Sequence, residues 1–99
     1  MSVSGVSLRD VAAAIGADPV SEDVWVAAVH HNTRRVEPGS LFVAVVGART
    51  DGHDLVADAV ASGAVAAVVE RRVEVPIPQL VVPNSRAVLA AASAISAFQ

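Results

Sequence analysis

Residues 30–55 read HHNTRRVEPGSLFVAVVGARTDGHDL, and the fold turns on how this stretch is parsed. Its centre, Leu41 to Val46, is an unbroken apolar run rich in valine, suited to a strand buried on both faces. Polar segments flank it. Asn32-Thr33-Arg34-Arg35 and the turn Glu37-Pro38-Gly39 come before it. Gly47-Ala48-Arg49-Thr50 and Asp51-Gly52-His53-Asp54 come after it and lead into a helix. Two loops with ligand-suited side chains beside one buried strand make a candidate site.

Working outward, the following helix is expected from about Asp54 to Ser62. Asp54 caps it, Leu55, Val56, Ala59 and Val60 form its inner face, and Gly63 ends it. Ala64 to Glu70 is a second apolar strand. Strand, helix and strand within about 30 residues form a βαβ unit, so the two strands should run parallel through a right-handed crossover. Toward the N-terminus, Val24 to His30 reads as one further strand. Before it, Leu8, Val11, Ala12 and Ile15 show helical spacing, with Ser7 and Asp10 in capping-box positions and Gly16 placed to close the helix. Arg71 to Pro78 is a charged connection, and Gln79 to Val82 a short strand stopped by Pro83. The last helix, capped by Asn84 or Ser85, turns Val88, Ala91, Ala92, Ile95 and Phe98 inward. The expected fold is therefore α/β, a small mixed and partly parallel sheet of about four to five strands flanked by about three helices.

The 99 residues suffice for one domain with a real core. The 54% of hydrophobic residues are mostly Val, Ala, Leu and Ile, and no apolar run approaches the roughly 20 residues that span a bilayer. No membrane partner is therefore expected. The opening residues lack a basic and then apolar leader, and cysteine is absent, which together fit a cytoplasmic protein. A net charge of -3, one Trp and two Phe argue against a nucleic-acid partner, which would need basic patches and stacking platforms.

Within the central stretch, Thr33 and Arg34 at a strand end suit phosphate or hydroxyl recognition, although an ordinary Asn-led turn explains the same residues. Gly47 to Gly52 follows the carboxyl end of a buried strand, where parallel sheets bind ligands, but it is neither a dinucleotide fingerprint nor a phosphate loop. His30, His31 and His53 match no zinc spacing, so no metal site is expected. No nucleophile, base and acid arrangement stands out, and no catalytic residue is assigned. On residue chemistry, the reading reaches an α/β ligand-binding module.

The run NTRRVEPGSLFVAVVGARTDGHDLVADAVASGAVAAVVE closely resembles the N-terminal domain of the Mur ligases, in the MurE and MurF branch. The family pattern is D-S/T-R, then G-D-L-F-V-A, a glycine, D-G-H-D-F, an Ala-rich helix, G-A and an apolar strand. It matches in order from Asn32 to Val69, and the flanking segments extend the likeness over nearly the whole chain. The resemblance implies one N-terminal domain over residues 1–99 that holds the uridine diphosphate end of UDP-N-acetylmuramoyl-peptide. It implies further ligase domains as partners. The middle one carries ATP and magnesium, the C-terminal one the incoming amino acid or dipeptide. By position, the implied uridine contacts are His31, Thr33, Ala48, Arg49 and Thr50, supported by Asn32, Arg34, Gly47, Asp51 and Gly52.

This sequence departs from the pattern at Asn32 for Asp, Ser40 for Asp and Leu55 for Phe. It also holds no Gly-Lys-Ser/Thr loop and no lysine, so the 99-residue chain is expected to be inactive without the remaining domains and to need no cofactor of its own. The resemblance leans toward MurE, which adds the third stem-peptide residue. MurF, and a non-catalytic module that has lost the nucleotide, are the alternatives.

Overall fold

The computed structural model describes residues 5–18, 20, 22–47 and 49–93, with the side chains of 91–93 left aside. The central strand β4 (Ser40–Val43) is buried at every residue. It pairs in parallel with β3 (Ala28–His30) on one side and β5 (Ala66–Val69) on the other, and β6 (Gln79–Val81) lies beyond β5. The resulting sheet, in the order β3-β4-β5-β6, is parallel throughout. The antiparallel component of the expected mixed sheet is a separate two-stranded ladder of β1 (Val6–Ser7) and β2 (Trp25–Val26).

Alternation along β4 and β5 explains why Leu41 to Val43 and Ala66 to Val69 are apolar without a break. Leu41, Val43, Ala66 and Val68 pack with Leu80 against Leu8 and Val11 of α1 (Leu8–Ile15) and Val88 of α3 (Ser85–Ser93). Phe42, Ala44, Ala67 and Val69 face the opposite way, onto Val56 and Ala59 of α2 (Val56–Ala61). A parallel sheet covered on both faces selects apolar residues along its central strands. Its buried polar side chains sit at strand starts with partners: Ser40 Oγ accepts from the Glu37 N–H at 3.1 Å, and the Gln79 amide bonds the Val73 backbone at 2.8 Å. Each Leu, Val or Phe buried in this way contributes about 1.5–3 kcal/mol by removal from water.

Several boundaries differ from the sequence expectation. The expected strand from Val24 to His30 is two strands in two sheets, divided at Ala27, whose N–H donates to the Gly39 carbonyl at 2.9 Å. A period of two fits either sheet, so the alternation in the sequence does not reveal the handover. The central strand ends at Val43 rather than Val46, because the chain turns back on itself. Val46 bridges Asp51, and the Gly52 N–H donates to the Val45 carbonyl at 2.9 Å.

The segment after that turn opens as a 3-10 helix over Gly52–Leu55 before α2 begins. Its cap is Asp51 rather than Asp54: Asp51 Oδ1 accepts from the His53 N–H at 2.9 Å. The cap lies earlier because Gly52 is fixed onto Val45. Strand β5 occupies only 66–69 of the expected 64–70.

The first helix follows expectation, with Ser7 Oγ accepting from Asp10 N–H at 3.2 Å and Gly16 left-handed at φ 72°. At α3, Asn84 Oδ1 accepts from the Ala87 N–H at 3.2 Å, so Asn84 is the capping residue. Ile95 and Phe98 lie outside the described residues. Among the described residues, no helix is long and apolar enough to cross a membrane.

Candidate functional site

Because the four strands are parallel, all their carboxyl ends reach the same edge of the sheet. His30, Val43, Val69 and Val81 end the strands there, and the segments that leave them are neighbours in space. Six of the seven basic side chains lie on these segments: Arg34 and Arg35 after β3, Arg49 after β4, Arg71 and Arg72 after β5, and Arg86 after β6. In a chain of net charge -3, the segments leaving this edge thus carry most of the cations, although Arg72 lines the depression beside β6.

After β3, Asn32 opens a 3-10 turn over Thr33–Arg35, its Oδ1 accepting from the Arg34 N–H at 3.0 Å. An amide oxygen performs this role as a carboxylate would, so Asn in place of Asp retains the acceptor that shapes the turn. Thr33 is half-buried, and its hydroxyl makes no hydrogen bond among the described residues. Arg34 and Arg35 are exposed.

The segment after β4 forms a small hairpin. Beyond the Val46–Asp51 bridge, the Gly47 N–H donates to the Thr50 carbonyl at 2.8 Å, and Arg86 Nη2 donates to the Val46 carbonyl at 3.2 Å. Gly52 fits against this hairpin only because it lacks a side chain: a Cβ there would sit 2.6 Å from Val45 N. Ala48 lies outside the described residues.

Between the two segments runs a cleft of about 290 Å³, lined by His31, Asn32, Thr33, Val45, Thr50, Gly52 and Leu55. It brings together three of the five principal residues expected from sequence, His31, Thr33 and Thr50, with Asn32 and Gly52 of the supporting set. Arg49, Arg34, Gly47 and Asp51 do not line it. A second cleft of about 380 Å³ shares His31 and Asn32 and continues past Val29, His30, Arg35 and Leu89. Another depression, of about 650 Å³ beside β6 and Pro76–Pro78, contains none of the expected residues.

Sequence reading does not single out the polar network beneath the hairpin. His53, whose side chain is 1% exposed, has Nδ1 2.7 Å from Asp51 Oδ1 and accepts at Nε2 from the Glu70 N–H at 2.8 Å. Arg71 Nη2 donates to Asp51 Oδ2 at 2.9 Å. The His53 backbone N–H, then the Arg71 guanidinium and the His53 ring, hold the Asp51 carboxyl well below the usual carboxylate range. Glu70 Oε2 accepts from the N–H and hydroxyl of buried Ser85 at 2.9 and 3.0 Å, bonds that lower its carboxyl likewise. A negative charge there also faces the positive end of α3. The sequence signal for this network was Asp51-Gly52-His53, an Asp accepting from the N–H two residues on, but its partners lie 17 and more residues away. Among the described residues, no three His, Asp or Glu side chains converge to hold a metal ion.

Comparison with known proteins identifies the fold and the family. The UDP-N-acetylmuramyl-tripeptide synthetase of Deinococcus radiodurans is 45% identical over 95 residues, which cover 88% of this chain and 19% of that protein. The UDP-N-acetylmuramoyl-tripeptide--D-alanyl-D-alanine ligase of Escherichia coli is 37% identical over 82% of this chain and 18% of its own length. A crystal structure of MurF from Acinetobacter baumannii superimposes with a TM-score of 0.76 at 27% identity, covering 92% of this chain and 21% of that one. The chain thus spans about a fifth of the length of the relatives it matches. Residues 26–97 match the Mur ligase family, in the part described as its catalytic domain, and the chain belongs to that family.

Proposed function

We propose that this chain is the part of a peptidoglycan-precursor amide ligase that grips the uridine diphosphate end of UDP-N-acetylmuramoyl-peptide. The observation that carries the reading is the convergence of His31, Thr33 and Thr50 on one cleft at the arginine-rich carboxyl edge of the sheet. The half-apolar lining from Val45 and Leu55 suits a planar base, and the Thr33 hydroxyl suits a carbonyl or ribose hydroxyl. The exposed arginines around the rim supply the donors that a diphosphate needs. Arg49 belongs to the same proposed site through the hairpin, although it stands outside the cleft lining, and Ala48 is assigned to the site by the family resemblance alone.

ATP and magnesium do not fit these residues. The chain offers no lysine and no Gly-Lys-Ser/Thr loop, so phosphorylation of the substrate carboxyl and amide formation belong to other parts of a longer ligase. MurE-type activity is the preferred reading, supported by the identity to a tripeptide synthetase, with MurF-type activity second.

Titration of the isotopically labelled chain with UDP and with UDP-N-acetylmuramic acid, followed by NMR, tests the proposal. Shifts concentrated at His31–Arg34 and Gly47–Gly52 are expected, with weak affinity, since the cleft covers only part of the ligand. Flat spectra up to about millimolar ligand, or shifts elsewhere, overturn it.

A further inference from the structure

We infer that His53 is a positioning residue of the nucleotide site, holding the 46–52 hairpin in the shape that turns Thr50 toward Thr33 across the cleft. The inference rests on the UDP-binding reading above. The hairpin itself has little apolar anchorage. Val46 is 46% exposed, and Gly47, Arg49 and Thr50 are exposed as well. Its conformation therefore depends on hydrogen bonds rather than on packing.

The bonds converge on His53. Nε2 faces two backbone donors, the Glu70 N–H at 2.8 Å and the Arg71 N–H at 3.4 Å, so in the neutral ring it carries no proton. The ring proton then sits on Nδ1 and is donated to Asp51 Oδ1 at 2.7 Å. Asp51 Oδ1 also accepts from the His53 N–H and Oδ2 from Arg71, which fixes the residue next to Thr50 from three sides. The two ring nitrogens do different work. Nδ1 closes a local turn, whereas Nε2 reaches 17 residues along the chain, to the end of the neighbouring strand. The link to β5 holds the hairpin to the sheet, and Glu70, whose N–H forms it, is itself tied by its carboxylate to Ser85 at the start of α3.

The two amide variants of His53 separate these roles. In His53→Gln the side-chain oxygen extends to the position of Nε2 and still accepts from Glu70 N–H; in His53→Asn the shorter amide still donates to Asp51 but leaves Glu70 N–H without a partner. We expect UDP affinity within about threefold of the parent in His53→Gln and about fivefold to tenfold weaker in His53→Asn, the size of one lost hydrogen bond. Without ligand, amide exchange at Gly47 and Gly52 should accelerate in His53→Asn alone. Equal affinity and equal protection in both variants overturn the inference, as does a larger loss in His53→Gln.

If the parent binds no UDP, the nucleotide reading falls, and the ligand-free exchange comparison still decides whether His53 holds the hairpin. Should neither variant fold, ring nitrogen NMR of the parent chain decides. A protonated Nδ1 with an unprotonated Nε2 supports the inference, and the opposite tautomer overturns it.

Discussion

Arg71 Nη2 lies 2.9 Å from Asp51 Oδ2 and so ties the segment after β5 to the segment after β4 across 20 residues of chain. The arginine side chain is 59% exposed, and exposed ion pairs contribute little to global stability. Arg71→Gln should therefore leave the thermal midpoint close to that of the parent while shifting the backbone resonances of Thr50 to Gly52. A large drop in midpoint would show that the pair is a structural tie rather than a local one.

Gly52 and Gly16 resist substitution for different reasons. A Cβ at Gly52 collides with Val45 backbone at 2.6 Å, whereas Gly16 has open space but a left-handed φ of 72°. Gly52→Ala should cost about 1–3 kcal/mol through overpacking and should perturb the cleft. Gly16→Ala should cost about 1–2 kcal/mol and leave the cleft unchanged. Urea unfolding paired with spectra of the cleft residues distinguishes the two.

Thr33 supplies the hydroxyl proposed to meet the nucleotide. Thr33→Val should weaken UDP binding by about 1 kcal/mol, roughly fivefold, with an unchanged fold, and Thr33→Ser should restore most of it. Calorimetric titration reads both. Equal affinity in Thr33→Val would remove the hydroxyl from the site.

Asp51 and Glu70 both have folded-state carboxyls below the ordinary range near about 4. The unfolded chain therefore takes up these protons first as pH falls. The stability they contribute is fully present above the unfolded value and is lost as pH drops through the folded values. The urea midpoint should decline below about pH 4. In an Asp51→Asn, Glu70→Gln double variant the decline should be shallower, and an identical acid profile would show that other groups govern it.

Much of the fold was legible because it rests on local pattern. Leu41-Phe42-Val43 and Ala66 to Val69 are apolar at every position, as a short strand covered on both faces requires, and the parallel pairing followed from the helix between them. Ser7, Gly16 and Asn84 cap their helices through bonds within a few residues, which spacing alone announces. The candidate nucleotide residues His31, Thr33 and Thr50 were named from their motif positions, and they do meet around one cleft.

The tertiary structure decided what spacing does not encode. The division of the 24–30 strand at Ala27 depends on which neighbour offers a free edge, and period-two alternation is blind to that choice. The early end of β4 and the shift of the cap from Asp54 to Asp51 depend on Gly52 meeting Val45. The burial of His53 between Asp51 and the Glu70 amide joins residues whose proximity arises only when β4 and β5 align. The sequence by itself thus determined the two central strands, the helices and the chemistry of the loops, because these follow from neighbours along the chain. Which loops share an edge, and what holds them there, followed from parallel strand register, a contact between residues far apart in the chain.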